Sequence, residues 1–361
     1  MSHSAVSDGP HGVCRAPGDA PRLRLTAAER TAVLDVADAA LAEEPHVPPS
    51  RRLPRLAVLA HQLPVRLRTV LTEFRITGRP YGGLVIAGLP VDPEAAGPTP
   101  TDYTAEPRGT EVLRAEVVLL LIGSLLGDPF SFATQQRGRL VLDVFPVRGH
   151  EDSQLGSSST QLLEWHNEDA FHEHRADWIA LLCVRNQDRV PTLFAPVHDL
   201  DLTARDRALL FEERFVILPD ESHTAQFNSA TNGIESDDRF HQAFERIAAM
   251  AERPRRIPIL SGDPRAPFVR LDPAFMRRDL DDPPAERTLA AVIDAVDRRL
   301  LDVVLDTGDL FLIDNKRAVH GRRPFTARYD GTDRWLRRIN ITADLRSSEG
   351  RRVGDAGRAV V

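Results

Sequence analysis

The sequence predicts an α+β fold in one large domain, and three observations carry that reading. The N-terminal part has helical periodicity, the period changes to strand-like runs from Leu140 onward, and a helical stretch lies between two groups of strands. A chain of 361 residues can bury a core of the size this needs. At 42% hydrophobic and 27% charged residues, its composition is that of an ordinary globular enzyme.

Taken in order, residues 1–22 are rich in Ser, Gly, Pro and Ala and read as a disordered tail. Thr26-Ala27-Ala28-Glu29 forms a capping box opening a helix to about Glu43, with Val33, Val36, Ala37, Ala40 and Leu41 as its apolar face. A helical region after Ser50 is broken by Pro54 and Pro64 before the pattern resumes over Leu67 to Phe74. Leu84 to Ala87 is a short buried strand, residues 90–107 a proline-rich loop, and Glu111 to Leu126 an apolar helix stopped by Gly127 and Pro129. Strand-like runs follow at Leu140 to Val147, Leu162 to Glu168, Trp178 to Val184 and Thr192 to Val197. Helices return at Thr203 to Glu213 and Arg239 to Ala251, strands at Ile257 to Leu260 and Phe268 to Leu271, and a last helix at Glu286 to Asp302. Thr307-Gly308-Asp309 is a turn that opens the strand Leu310 to Ile313. After Arg346 the chain is polar, and 347–361 reads as a flexible tail.

A net charge of −7, with no basic stripe interleaved with aromatics, argues against a nucleic-acid binder. Cys14 and Cys183 do not make a disulfide framework. No stretch is apolar enough to cross a membrane, and the N-terminus lacks the charged-then-apolar order of a signal peptide. The protein therefore reads as soluble and cytoplasmic.

Chemistry concentrates in Trp165-His166-Asn167-Glu168-Asp169 and in Asp314 to Arg322, which contains His320. Strand alternation puts His166 and Glu168 on one face, so both can share a metal. With His320 they supply two imidazoles and one carboxylate. That set occupies one face of an octahedral Fe(II) and leaves positions open, as O₂ and a chelating co-substrate require. Fourteen residues after His320, Arg334 has room to return beside the metal and grip a carboxylate with its planar fork, and Arg338 shares its face. His172 and His174 compete as ligands, but charged neighbours favour an exposed turn for them. Asp169 competes with Glu168 but points to the opposite strand face. Without His-Glu-x-x-His or a Cys cluster, zinc chemistry is not supported.

These blocks, with Gln135-Gln136, Gly149-His150-Glu151, Leu182 to Asn186 and the stretch from Gly308 to Arg338, resemble the clavaminate-synthase-like branch of the Fe(II)/2-oxoglutarate-dependent oxygenases. That branch is related to taurine dioxygenase. The likeness runs from about Leu113 to about Arg346 and is nearest to the arginine and asparagine hydroxylases of peptide-antibiotic pathways. The resemblance implies a double-stranded β-helix (jelly-roll) core over about 130–346. Because strands lie on both sides of the helical insertion, they read as one domain spanning 23–346, with the insertion over about 199–252 as a lid that closes the site. It implies Fe(II), 2-oxoglutarate and O₂ as cofactors, with Arg334 binding the distal carboxylate of 2-oxoglutarate and Thr192 helping to hold the co-substrate. Arg338 is implied for the α-carboxylate of a free amino-acid substrate, and Gln135 for its α-amino or α-carboxylate group, with Gln136 one position away. Ser157 adds a polar contact, and Glu168 adds what charge the metal leaves it.

Asp272 matches an acidic substrate contact, but Ala274 stands where the arginine hydroxylases have a second acid. That departure weakens arginine and keeps citrulline and lysine open. The implied reaction is hydroxylation at C3 or C4 of a long polar or cationic L-amino acid in peptide natural-product biosynthesis. Desaturation or repeated oxidation of the same substrate, or a non-catalytic jelly-roll binding protein, are the alternatives. Glu168 argues against halogenation, which needs a small residue there.

Overall fold

The computed structural model describes residues 10–16, 18–44, 46–79, 81–103, 109–198, 200–232, 238–354 and 356–361. Residues 1–9 of the expected tail and 104–108 of the proline-rich loop lie outside these. Four N-terminal helices are α1 (Ala27–Glu43), α2 (Leu53–Leu59), α3 (Val65–Thr77) and α4 (Thr110–Leu126). The capping box of α1 forms in both directions: Thr26 Oγ1 accepts from the Glu29 N–H at 3.2 Å, and Glu29 Oε2 accepts from the Thr26 N–H at 2.8 Å. Pro54 sits in the first turn of α2, where its missing N–H costs nothing, so it starts a helix rather than breaking one.

The later helices are α5 (Ala204–Leu209), α6 (Ala225–Asn232), α7 (Asp238–Glu252) and α8 (Pro283–Asp297). The first eight strands are β1 (Val13–Cys14), β2 (Arg22–Arg24), β3 (Gly83–Ala87), β4 (Asp128–Phe132), β5 (Leu142–Val144), β6 (Leu163–His166), β7 (Trp178–Arg185) and β8 (Thr192–Pro196). The rest are β9 (Leu260–Ser261), β10 (Phe268–Val269), β11 (Leu301–Val303), β12 (Leu310–Asp314), β13 (Ala318–Arg322), β14 (Trp335–Thr342), β15 (Arg352–Val353) and β16 (Ala359–Val360). The major sheet runs β1-β2-β3-β12-β7-β14-β4-β16-β15, with β5 also on β14, and the minor sheet runs β11-β8-β13-β6. This mixed fold is the jelly roll expected from the resemblance, with helices before it.

Both faces of the major sheet are covered, which explains why its strands read as unbroken apolar runs. In β7, Ala180, Leu182 and Val184 pack with the N-terminal helices. Its alternate residues Ile179, Leu181 and Cys183 pack with Phe194 and Val303 of the minor sheet. The outer side of the minor sheet, through Trp165, Ala195 and Val319, packs with α8 and the inserted segment. Among the described residues, no helix is long and apolar enough to cross a membrane.

Three expectations need correction. Val13–Cys14 pairs with β2, so part of segment 1–22 is a strand: its short apolar pair finds a sheet edge. Ala359–Val360 pairs in parallel with β4, and Arg352–Val353 pairs with Ala359–Val360, so 347–361 is tied to the sheet by backbone hydrogen bonds that composition does not reveal. The run Leu162 to Glu168 stops being a strand at His166. Glu168 is therefore not placed by strand alternation.

Candidate active site

His166 ends β6, His320 lies inside β13, and the two are direct cross-strand partners with ring centroids 4.6 Å apart. Gly321 permits this approach: a Cβ there would fall 2.5 Å from the Leu163 carbonyl oxygen. Beyond the strand end a turn carries Glu168 back. Its N–H donates to Asn315 Oδ1 at 2.7 Å, and Asn315 Nδ2 donates to the Glu168 carbonyl at 3.0 Å. Asn167, fully buried, accepts from the Leu271 N–H and donates to the carbonyls of Asn315 and Ala318.

Glu168 Oε2 lies 3.8 Å from His166 Nε2 and 3.4 Å from His320 Nε2, and one ligand atom from each residue falls within 4.8 Å of the others. His166 Nδ1 donates to the Glu164 carbonyl at 2.8 Å, which turns Nε2 toward Glu168. Burial opposes a charge on this ring, but Glu168 and Asp272 outweigh it and raise His166 to about 9, so a metal taken up at Nε2 would displace a proton. Burial pushes His320 down to about 4, so it is a neutral imidazole. Glu168 is held well below the usual carboxylate range: burial opposes its charge, but Arg338 and the two histidines outweigh it. Glu168 Oε2 and His320 Nδ1 are buried without a hydrogen-bond partner. A buried carboxylate oxygen left open between two imidazoles fits an Fe(II) ion.

Arg334 is buried, donates from Nη2 to Thr192 Oγ1 at 2.9 Å and leaves Nε unpaired. Among the described residues no carboxylate pairs with it, and burial pushes the guanidinium down to about 10. A buried cation of this kind needs an anion, which fits the distal carboxylate of 2-oxoglutarate. Arg338 donates from Nη1 to Glu168 Oε1 and from Nη2 to Gln135 Oε1, the latter at 3.2 Å, and its Nε is unpaired. Gln136 instead exchanges two hydrogen bonds with the backbone of Asp143, which separates it from Gln135 in role.

Ser157 Oγ lies 2.9 Å from His150 Nδ1. Ser157 and Asp272 line the same cavity as the triad, Thr192, Arg334 and Arg338, and so does Ala274. Burial pushes Asp272 up to about 7; His166 opposes that shift and Asp220 adds to it.

His172 is not in an exposed turn. It is buried against Phe132, its Nδ1 accepts from the His174 N–H at 3.0 Å, and burial holds it well below the ordinary imidazole range. The apolar Phe132 from a strand remote in sequence overrides the charged neighbours. Asp169 turns away from the triad in a left-handed conformation, φ 49°, toward His223. Asp220 and Ser222 also line the cavity, and sequence reasoning missed both. The capping pattern of Asp220 was readable there, but nothing local tied it to a cavity whose other residues lie far from it on both sides in the chain.

The fold and these side chains define a non-haem iron oxygenase that uses 2-oxoglutarate. A family model described as taurine catabolism dioxygenase TauD, TfdA family, matches residues 108–340. The L-ornithine/L-arginine 3-hydroxylase of Catenulispora acidiphila is 40% identical over 341 residues, covering 94% of this chain and 99% of that one. Enduracididine beta-hydroxylase of Streptomyces hygroscopicus is 41% identical over 302 residues, covering 83% of this chain and 88% of that one. The crystal structure of the non-heme iron oxygenase OrfP with Fe, succinate and (3S)-hydroxy-L-Arg superposes with a TM-score of 0.87 at 42% identity, over 94% of this chain and 100% of that chain. The chain belongs to the TauD/TfdA dioxygenase family, in its clavaminate-synthase-like branch.

Proposed function

We propose that the protein hydroxylates free L-arginine at C3. The observation that carries this reading is a single cavity that offers the triad, a guanidinium for an α-carboxylate (Arg338) and two acids for a cationic side chain (Asp220 and Asp272). The acid absent at Ala274 is made up from the inserted segment, by Asp220. A neutral ureido group would leave these two carboxylates without a counter-charge, so arginine is favoured over citrulline. The C3 position is supported by the 3-hydroxylase relative and by the (3S)-hydroxy-L-Arg bound in OrfP.

When bound, Fe(II) and 2-oxoglutarate would let O₂ act as the oxidant: one oxygen atom replaces C–H by C–OH, and the other ends in the succinate formed as 2-oxoglutarate loses CO₂. His166, Glu168 and His320 would hold the metal. Arg334, oriented by Thr192, would fix the far end of the co-substrate. Arg338 keeps Glu168 ionised and has its unpaired Nε left for the substrate carboxylate, while the Gln135 oxygen holds the fork in place. Burial of Glu168, His320, Thr192, Arg334 and Gln135 limits the water that can reach the reacting carbon.

The test is succinate release from protein, Fe(II), ascorbate and 2-oxoglutarate across a panel of free L-amino acids, with product mass and NMR. Arginine-dependent succinate and arginine gaining one oxygen at C3 are expected. Succinate release that no amino acid stimulates would overturn the reading, and a product lacking two hydrogens would make the enzyme a desaturase.

A further inference from the structure

His223 is fully buried on the 3₁₀ turn Glu221–His223 of the inserted segment, yet its bonds run to the core. Nδ1 lies 2.6 Å from Thr134 Oγ1, and Nε2 lies 2.8 Å from Asp169 Oδ1 and 3.0 Å from Gln135 Nε2. Phe132 and Phe171 present their rings edge to face against the imidazole, at 5.2 and 4.9 Å. Asp169, Asp220 and His223 bring ligand atoms within 4.8 Å of one another, but both ring nitrogens are already engaged, so the grouping is a hydrogen-bond junction.

Two substrate-facing groups hang from this junction. Asp220 Oδ1 accepts from the Ser222 N–H at 2.8 Å and from its hydroxyl, which ties Asp220 to the turn that His223 anchors. Gln135 Nε2 donates to Ser222 Oγ at 3.0 Å and to Asp169 Oδ1 at 3.2 Å, which turns its oxygen toward Arg338. Asp169 keeps its left-handed backbone inside this network and also accepts from Asn340 Nδ2 at 3.3 Å. The network reaches the amino-acid end of the cavity and makes no contact with Arg334 or Thr192.

We infer that His223 is a positioning residue for the substrate: it pins the Asp220–Ser222 turn to Thr134 and Asp169, and so aims Asp220 and the Gln135 amide into the cavity. The inference rests on the amino-acid reading above. Without the pin, the acid that replaces the one absent at Ala274 loses its fixed place, while the 2-oxoglutarate end is untouched.

The experiment is anaerobic calorimetric titration of the Fe(II)-loaded protein with L-arginine and, separately, with 2-oxoglutarate. H223F keeps the aromatic packing and removes the ring's polar contacts with Thr134, Asp169 and Gln135; it is expected to raise the arginine Kd about tenfold or more, with the 2-oxoglutarate Kd moving less than about twofold. H223Q, which returns a donor near Asp169, should recover part of the loss. T134V removes one anchor only and decides by the same criterion if H223F does not fold. An unchanged arginine Kd, or equal shifts in both constants, would overturn the role of His223. Wild-type protein that binds 2-oxoglutarate but no amino acid would overturn the substrate reading, and this inference with it.

Discussion

Asn167 and Asn315, 148 positions apart, interlock behind the candidate metal site: Asn167 Nδ2 donates to the Asn315 carbonyl at 2.8 Å, while Asn315 Oδ1 takes the Glu168 N–H. Through Asn167 Oδ1 the pair also holds the Leu271 N–H, next to Asp272. The turn that presents the carboxylate ligand is thus set by side-chain amides where the strand ladder ends. Asn315→Ala leaves buried backbone groups of Glu168 and Ala176 unpaired. Its cost is about 2–4 kcal/mol of stability, and Fe(II) affinity falls about ten- to a hundredfold. Urea unfolding and Fe(II) titration check both; iron affinity at the wild-type level would show that the brace does not set the ligand geometry.

Gly321→Ala tests how closely the two histidine strands must approach. Its backbone is not left-handed, so the obstacle is contact with Leu163 and Trp165 rather than torsion. Either β6 and β13 separate, or the His166–His320 pairing shifts. Overpacking of this kind costs about 1–3 kcal/mol, and iron binding should weaken at least about tenfold because ligand spacing tolerates little error. A variant that melts earlier but binds iron as the wild type does would mean the strands relax without moving the ligands.

The convergence of His166, Glu168 and His320, the return of Arg334 to the same cavity and most strands were legible because each rests on local pattern: His-x-Glu, the turn before β12, apolar runs bounded by Gly and Pro. Where the sequence misled, a partner remote in the chain decided the outcome. His172 is buried by Phe132, and Val13–Cys14 is ordered by β2. Glu168 reaches the two imidazoles through Asn315, although strand alternation predicts the same convergence for a different reason. Asp220 and His223 were invisible because their meaning depends on Thr134 and Asp169, which no spacing rule connects to them.

Arg334→Met removes the buried guanidinium that donates to Thr192 Oγ1, the group proposed to hold 2-oxoglutarate. The KM for 2-oxoglutarate should rise about a hundredfold or more, since a desolvated charge pair to a carboxylate is lost. Thr192→Val keeps the cation and removes its hydrogen bond, so the rise is about three- to tenfold. The arginine KM should move much less in both. Steady-state kinetics with each substrate varied in turn measures the split, and equal increases in both KM values would contradict the assignment.

Asp272→Asn and Asp220→Asn each remove one acid from the cavity, and each should raise the arginine KM about ten- to a hundredfold with little change for 2-oxoglutarate. Both should lose discrimination against citrulline, because the neutral side chain no longer leaves two carboxylates without a counter-charge. Ala274→Asp is the complementary gain. It adds a carboxylate to the cavity that Asp272 already lines, so two acids from one loop can meet the guanidinium fork. Asp220→Asn in that background should then cost less than it does alone, since the added acid takes over its role. Arginine and citrulline kcat/KM values for the four variants decide the matter. If D220N costs as much beside Asp272 alone as beside the added acid, Asp220 does not share the guanidinium with the 272–274 loop.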